Sequence, residues 1–327
     1  MFSRANADTL REGLAPIDFN DVAAVDPSVQ NLVKNYCTHY GLDFEHSLSI
    51  QHHIGLVQSG SYTVVCQYFT STASNGESKG TIFLLHGYFD HSGIYRHLIR
   101  HCLQLGFCVV IFDFPGHGLS SGTVASIESF REYNKVFFDC LSVAQSQGLA
   151  TPWIAIGQST GGAIIVDSIL DSKLADKFSF EKYLLLAPLL RPKHWYRSKL
   201  LFSISRWFWP TSPRKFSINS HDKDFLQFLA KKDSLQSKVL SGSWVLAMID
   251  YQKRFDEARC SGEKLHIIQG TGDGTVDWKF NVPQFMKKFP NSKLYVIDDA
   301  RHQLVNESTK YRDKVFSQID QIMSRAD

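Results

Sequence analysis

The sequence of 327 residues predicts an α/β protein with a mostly parallel central sheet, flanking helices and an inserted helical lid. Six short apolar runs are typical of strands that are buried on both faces, as parallel strands are. Most of the spacers between these runs are long enough for a helix, which indicates a doubly wound sheet. One spacer, residues 191–262, spans 72 residues and predicts the insertion.

The first element is a helical N-terminal extension, predicted to comprise residues 1–48. Asp26 followed by Pro27 is typical of a helix N-cap and the first helical residue, and Gly41 is typical of a helix end. Apolar residues recur at helical spacing between them, so the sequence predicts a helix over 27–40. No motif in the extension points to a chemical role.

The core is predicted to comprise residues 49–190 and 263–327. Residues 50–58 and 61–69 are rich in β-forming residues and flank Ser59-Gly60, which predicts a hairpin. The apolar runs that predict the buried strands follow in this order: Thr81–Leu85, Phe107–Phe112, Trp153–Ile156, Tyr183–Leu186, Leu265–Ile268 and Leu294–Ile297.

Composition excludes several classes of protein. Hydrophobic residues make up 43% of the chain and charged residues 20%, so we expect a large folded core and no extensive disorder. A net charge of +3 does not indicate a nucleic-acid-binding protein. The N-terminus lacks the apolar stretch of a signal peptide, and no run of about 18 apolar residues occurs. We therefore expect a cytoplasmic protein without a membrane-spanning helix.

One short motif carries the strongest chemical prediction. The stretch Gly157-Gln158-Ser159-Thr160-Gly161 directly follows a predicted strand and directly precedes an apolar helix. A serine on such a tight turn has a strained backbone and needs small neighbours, which the two glycines supply. Ser159 is therefore the predicted catalytic nucleophile, and the N-terminus of the following helix stabilises negative charge beside it.

A serine nucleophile needs a base, and a late histidine with a preceding acid can supply one. Asp273 follows one predicted strand and His302 follows the next. Both positions lie at the C-terminal ends of parallel strands, where open α/β sheets place their sites. We predict that Asp273 fixes the tautomer of His302 and that His302 accepts the proton of Ser159.

Other acids leave the identity of the third residue open. Asp277 lies four residues beyond Asp273 and is its main rival. Asp298 and Asp299 are close to His302 in sequence, so their carboxylates cannot easily reach its ring.

Closely spaced histidines raise the alternative of a metal site. No HExxH-type acid or cysteine pair accompanies them, so they are expected to be surface or structural residues. The sequence thus predicts no metal and no organic cofactor. The histidines concerned are His52, His53, His97 and His101.

Hydrolysis of an ester also needs hydrogen-bond donors for the oxyanion. The backbone N–H of Thr160, directly after the nucleophile, is one predicted donor. The backbone N–H of Tyr88 is the other, because His86-Gly87-Tyr88 follows the strand predicted at 81–85 and Gly87 permits close approach to a ligand. An ordinary turn at a strand end is the alternative for this stretch.

The inserted segment (residues 191–262) is predicted to act as a lid. Between residues 191 and 221 it holds seven Lys or Arg residues, seven aromatic residues and no acid. This mixture suits an anionic lipid surface, and the alternative is an apolar face that packs on the core. Single-stranded nucleic acid is disfavoured because no nucleic-acid-binding fold is predicted. An aromatic lid favours a substrate with an apolar chain, and the predicted contacts are Trp195, Tyr196, Trp207 and Phe208.

Together these motifs resemble the α/β-hydrolase superfamily, and within it the monoacylglycerol lipases and bacterial lysophospholipases. The resemblance covers about residues 50–320 and implies that Ser159, Asp273 and His302 form a triad in the α/β-hydrolase chain order. The chain departs from the pattern at Tyr88, where relatives often have a small residue, and in its long N-terminal extension. The matching stretches are His86-Gly87, Asp90–Gly93, Phe112–Gly122, Gly157–Gly162, Gly270–Asp273 and Ala300–His302.

The sequence therefore predicts a serine hydrolase of carboxylic esters that forms an acyl-enzyme intermediate. The resemblance implies a lysophospholipid or a monoacylglycerol as substrate, and a short-chain carboxylesterase or a thioesterase is the alternative. A non-catalytic binding protein on the same scaffold is the rival class. We expect peripheral contact with an anionic membrane through the inserted segment, and the sequence does not indicate an oligomeric state.

Overall fold

A computed structural model describes residues 2–21, 26–44, 49–71, 78–170, 174–196, 211–214 and 216–325. Within these residues the chain forms an eight-stranded sheet and a separate two-stranded ribbon. The strands of the sheet are β1 Ile50–Ser59, β2 Tyr62–Ser71, β3 Thr81–Leu85, β4 Cys108–Phe112, β5 Trp153–Gln158, β6 Phe180–Leu186, β9 Leu265–Gly270 and β10 Lys293–Ile297. The ribbon pairs β7 Thr211–Pro213 with β8 Val239–Ser241.

The sheet has the order β1-β2-β4-β3-β5-β6-β9-β10. β2 runs antiparallel to β1 and to β4, and the other neighbours pair in parallel. The predicted hairpin and the mostly parallel central sheet are thereby confirmed. Because parallel strands share one direction, the C-terminal ends of β3, β5, β9 and β10 lie along one edge of the sheet.

Helices cover both faces of the sheet because alternate residues of its buried strands point to opposite sides. In β3, Phe83 and Leu85 belong to one apolar cluster, and Ile82 and Leu84 belong to the other. The first cluster includes α4 Phe130–Ser146, α5 Thr160–Leu170, α8 Gly242–Glu257 and α9 Trp278–Lys288. The second includes α1 Arg4–Gly13, α2 Pro27–Tyr40, α3 Arg96–Gln104, α7 Lys223–Lys231 and α10 Thr309–Ser324, while the short α6 spans Leu174–Lys177.

The N-terminal extension packs on the second face of the sheet. Its helix α2 has the predicted bounds, with the Asp26 carboxylate accepting from the Ser28 N–H at 2.8 Å and Gly41 ending the helix at a φ of +70°. In α1, Arg4 donates to the carbonyls of Gly118 (3.0 Å) and Leu235 (2.6 Å). The extension therefore joins the loop after β4 to the inserted segment.

The inserted segment contains α7, α8 and the β7–β8 ribbon. Helix α8 buries Trp244 and Met248 in the first cluster, so this part of the segment is firmly attached to the core. Residues 197–210 and 215 lie outside the described residues, and with them most of the basic and aromatic stretch that predicts contact with a lipid surface. In the described part of the chain, none of the helices combines the length and the apolar character needed to cross a bilayer.

Candidate active site

Ser159 lies on the tight turn between β5 and α5. Its φ is +53°, a left-handed conformation that is unfavourable for a residue with a side chain. Two backbone bonds hold this conformation, since the Ser159 N–H donates to the Leu186 carbonyl at 2.9 Å and its own carbonyl accepts from the Leu189 N–H at 3.1 Å. Neighbouring strand and loop atoms therefore keep the serine in a strained conformation.

The two glycines of the motif make this turn sterically possible. A Cβ atom on Gly161 would lie 2.1 Å from the carbonyl oxygen of Leu85 in β3. A Cβ atom on Gly157 would lie 2.5 Å from the carbonyl carbon of Gly161. Such contacts are far inside van der Waals distance, so α5 can approach β3 and β5 this closely only with glycine at both positions.

Asp273 and His302 are in direct contact. The Nδ1 atom of His302 lies 2.8 Å from Oδ2 of Asp273, and both side chains are buried. The other carboxylate oxygen accepts from the backbone N–H groups of Thr275 (2.8 Å) and Val276 (3.1 Å). Because an ionised carboxylate only accepts hydrogen bonds, Nδ1 of His302 carries the proton and Nε2 is left with a lone pair.

Asp273 and His302 shift each other's pKa in opposite directions. Burial by itself lowers the pKa of His302, but the adjacent Asp273 carboxylate outweighs it, so the pKa lies above its usual value. Burial likewise raises the pKa of Asp273, and the attraction and hydrogen bond of His302 outweigh it, so that pKa lies below its usual value. The buried acid therefore stays ionised and stabilises a proton on the ring.

A side chain of the serine motif ties His302 to the turn. Gln158, the residue before Ser159, donates from Nε2 to the His302 carbonyl at 2.8 Å. The next residue, Gln303, donates from Nε2 to the Asp90 carboxylate at 2.9 Å. The loop that carries His302 is thus bonded both to the serine turn and to the loop after β3.

The loop after β3, residues 86–91, approaches Ser159 closely. A Cβ atom on Gly87 would lie 3.5 Å from Cβ of Ser159. The buried His86 ring links this loop to the loop after β4. Its Nδ1–H donates to the Gly87 carbonyl (2.8 Å) and its Nε2 accepts from the Phe114 N–H (2.9 Å). Burial lowers the pKa of His86 well below its usual value, so the ring stays neutral.

The two predicted oxyanion donors belong to this loop and to α5. Thr160 is the first residue of α5, where N–H groups have no acceptor within the helix. The Tyr88 ring stacks on Trp244 of α8 with 3.8 Å between centroids, and its hydroxyl donates to the Ala125 carbonyl at 2.6 Å. The bulk of Tyr88 therefore packs against the inserted segment.

The rival acids have other partners or lie at the surface. Asp277 forms an ion pair with Arg191 at 2.8 Å, and Asp299 accepts from the Tyr311 hydroxyl at 2.6 Å. Asp298 is exposed. Among the described residues, no cluster of three or more His, Cys, Asp or Glu side chains could hold a metal ion.

The predicted lid residues have different placements. Trp195 is buried in the first cluster and donates from Nε1 to Gln252 of α8 at 2.8 Å, which favours packing over the predicted substrate contact. Tyr196 is 72% exposed, and its hydroxyl accepts from Arg191 at 3.2 Å. Trp207 and Phe208 lie outside the described residues.

Glu307 is a structural partner of the site that the sequence did not indicate. Its fully buried carboxylate accepts from the backbone N–H groups of Arg301 (2.7 Å) and His221 (2.8 Å). It also contacts Nδ1 of His221 at 3.0 Å. Glu307 therefore fastens the loop of His302 to the inserted segment, and no sequence motif marks this acid among the 32 acidic residues of the chain.

Comparison with known proteins agrees with this architecture. A sequence model of the family described as serine aminopeptidase, S33, matches residues 76–309. A solved structure of a soluble monoglyceride lipase variant from Saccharomyces cerevisiae, in complex with a substrate analogue, superposes with a TM-score of 0.70 at 18% identity. The match covers 82% of this chain and 94% of that one, which confirms the predicted α/β-hydrolase fold.

Two curated relatives match shorter stretches of sequence. Monoacylglycerol lipase of Mycolicibacterium smegmatis is 30% identical over 89 residues, or 27% of this chain and 32% of the relative. Monoglyceride lipase of Homo sapiens is 31% identical over 111 residues, or 34% of this chain and 36% of the relative. The matched stretches thus span about a third of the length of these relatives.

Proposed function

Because the chain belongs to the serine aminopeptidase S33 family of α/β-hydrolases, we propose that it hydrolyses carboxylic esters of lipid-like substrates. The observation that carries this proposal is the 2.8 Å bond between Asp273 and His302, on a loop tied to the residue preceding a strained Ser159. A buried acid, an oriented base and a serine at the edge of the sheet are what nucleophilic ester cleavage needs.

In the proposed mechanism, Ser159 attacks the ester carbonyl while Nε2 of His302 takes its proton. The backbone N–H groups of Tyr88 and Thr160 stabilise the oxyanion, and Asp273 stabilises the imidazolium. His302 then returns the proton to the leaving alcohol, which departs and leaves an acyl-serine. His302 next activates a water molecule, which releases the carboxylic acid and restores the serine hydroxyl.

We propose a lysophospholipid or a monoacylglycerol as the substrate. The two curated relatives are a monoacylglycerol lipase and a monoglyceride lipase, which supports an ester with one long acyl chain. The inserted segment also supports a lid that contacts a lipid surface, because four large hydrophobic or aromatic side chains in its described part are exposed. These side chains are Tyr196, Phe216, Ile218 and Leu246.

A substrate panel tests the proposal. Turnover of 1-octanoylglycerol, lysophosphatidylcholine, p-nitrophenyl esters of graded length, acyl-coenzyme A and an amino-acid p-nitroanilide is compared between the wild-type protein and Ser159→Ala. We expect Ser159-dependent hydrolysis of the lipid esters and labelling of Ser159 by a fluorophosphonate. Preference for the anilide, the thioester or the shortest ester would overturn the lipid assignment, and turnover independent of Ser159 would overturn the mechanism.

A further inference from the structure

Arg214 lies in a fixed position on the inserted segment. It directly follows β7, whose last residue Pro213 pairs with Val239 of β8. Its backbone N–H donates to the Lys238 carbonyl at 2.9 Å, which extends the ribbon by one more bond. The ribbon therefore holds this arginine in one place, although most of the preceding stretch lies outside the described residues.

The guanidinium of Arg214 packs against the loop after β3 (residues 86–91), which carries the predicted oxyanion donor Tyr88. Its Cζ atom lies 4.1 Å from the centroid of the Phe89 ring, an arrangement typical of a cation–π contact. Phe89 directly follows Tyr88 and has a φ of +70°. Since consecutive Cα atoms are about 3.8 Å apart, Phe89 is within about 8 Å of Gly87, the residue that approaches Ser159.

Toward the residues that the structure describes, this guanidinium uses little of its hydrogen-bonding capacity. A guanidinium has five N–H donors, and that of Arg214 donates to the Ser237 carbonyl at 3.3 Å and forms no ion pair with a described carboxylate. The two acids whose charges act on Arg214 have other partners, since Asp233 pairs with His91 at 3.1 Å and Asp90 accepts from Gln303. Burial lowers the pKa of Arg214, against the attraction of Asp90 and Asp233.

A half-buried cation with free donors gains free energy when an anion pairs with it. Within residues 191–196, 211–214 and 216–221, which the structure describes, three residues are Lys or Arg and none is Asp or Glu, so these parts of the segment carry no charge that repels an anion. A planar guanidinium binds phosphate through two parallel hydrogen bonds, which gives both affinity and orientation.

We propose that Arg214 binds a phosphate carried by the alcohol part of the substrate. This inference rests on the proposed function, and it selects a lysophospholipid over a neutral monoacylglycerol. In a lysophospholipid only the short glycerol unit separates the ester from the phosphate. Arg214 contacts Phe89, the neighbour of the predicted oxyanion donor Tyr88, so it is placed to hold the phosphate while Ser159 attacks the ester carbonyl.

The kinetic test compares two soluble esters with the same acyl chain, 1-octanoylglycerol and 1-octanoylglycerol 3-phosphate. The ratio of their kcat/KM values is measured for the wild-type protein, Arg214→Gln and Arg214→Lys. We expect Arg214→Gln to lower the preference for the phosphate ester by about 10- to 100-fold, mainly through KM, since a charged hydrogen-bonded pair is lost. Arg214→Lys keeps the positive charge but cannot form two parallel hydrogen bonds to a phosphate. Its kcat/KM ratio should therefore lie between those of the wild-type protein and Arg214→Gln.

A matched control removes an exposed lysine of the same segment. Lys223→Gln changes the net charge equally, and Lys223 is exposed on α7. We expect this variant to retain the wild-type ratio. An equal change of the ratio in Lys223→Gln and Arg214→Gln would overturn the proposal in favour of a general charge effect. An equal loss on both esters in Arg214→Gln, with a lower Tm, would overturn it in favour of a purely structural role.

A binding test separates this inference from the proposed reaction. Ser159→Ala, with and without Arg214→Gln, is titrated calorimetrically with octyl phosphate, neutral 1-O-octylglycerol and inorganic phosphate. We expect Arg214→Gln to weaken octyl phosphate about 10-fold or more and to leave octylglycerol unchanged.

The results of the binding and kinetic tests separate the phosphate site at Arg214 from the proposed hydrolysis of esters. Octyl phosphate affinity that does not depend on Arg214 would overturn the phosphate site even if the wild-type protein hydrolyses both esters. Arg214-dependent binding without turnover of any ester would support the phosphate site and refute the hydrolase proposal. Inorganic phosphate binding as tightly as octyl phosphate would refute the substrate assignment, because the site would then serve a free anion.

Discussion

Replacing Asp273 by asparagine moves the proton on His302 and changes one other contact of the site, since Gln269 donates from Nε2 to Oδ2 of Asp273 at 3.2 Å and its amide must turn to accept from the new NH2 group. The amide oxygen can still accept from the N–H groups of Thr275 and Val276, which bond to Oδ1 in the native protein. The NH2 group then faces Nδ1 of His302, where Oδ2 now lies at 2.8 Å. Two donors cannot face each other, so the ring must move its proton to Nε2. That tautomer cannot accept the proton of Ser159.

The expected loss in rate is large because the geometry is otherwise kept. The corresponding change in a serine protease lowers kcat by about 10⁴-fold, which equals about 5 kcal/mol of transition-state stabilisation. The pKa of His302 should also fall, since Asp273 is what outweighs burial and holds it above its usual value. We therefore expect the acid limb of the residual activity to move to lower pH.

The assay is turnover of a p-nitrophenyl ester by Asp273→Asn from pH 5 to pH 9, with Tm as a test of folding. Asp277→Asn is the matched control, because Asp277 is the nearest rival acid and is paired with Arg191. The control should retain most of the wild-type kcat. A loss of 10⁴-fold in Asp277→Asn, or less than a tenfold loss in a folded Asp273→Asn, would refute the assignment of the acid.

Three further changes test the site. Ser159→Ala should reduce ester turnover by on the order of 10⁶-fold and leave the circular dichroism spectrum unchanged; substantial residual turnover would contradict the nucleophile. The wild-type kcat/KM should fall as the pH drops through a His302 pKa above its usual value, because the base must be neutral, and a flat profile from pH 5 to pH 8 would contradict this. Glu307→Gln should lower the free energy of unfolding by about 2 kcal/mol in urea denaturation, because its carboxylate accepts three backbone N–H bonds and the amide can replace only one of its two oxygens as an acceptor; an unchanged value would show that Glu307 does not fasten the loop.

Elements defined by short-range pattern were predictable from the sequence. Strand β3 and helix α2 have the predicted bounds, and the β1–β2 hairpin forms as predicted, although its turn is Gly60-Ser61, one residue later than the predicted Ser59-Gly60, because Ser59 still pairs with Tyr62. These elements depend on runs of buried residues and on capping residues, all of which lie within a few positions of one another. The physical causes of these elements are local, so the pattern of neighbouring residues is enough to predict them.

The inserted segment was predicted less well because its contacts are distant in sequence. Trp195 was expected to meet substrate, yet its side chain lies in the core against Gln252, 57 residues away. An aromatic residue in a basic stretch has the same sequence pattern whether it faces a ligand or packs inward. Only the position of α8 distinguishes the two cases.

The sequence by itself determined the class of fold and the order of the serine, the acid and the histidine, because strand periodicity and the glycine-flanked turn are properties of neighbouring residues. Tertiary structure decided which acid meets His302, that Gln158 and Glu307 fasten its loop, and that Arg214 stands over Phe89. Each of these contacts joins residues that are brought together by the packing of whole elements. Their distances depend on the register of the sheet and on the buried volume between layers, which no local pattern encodes.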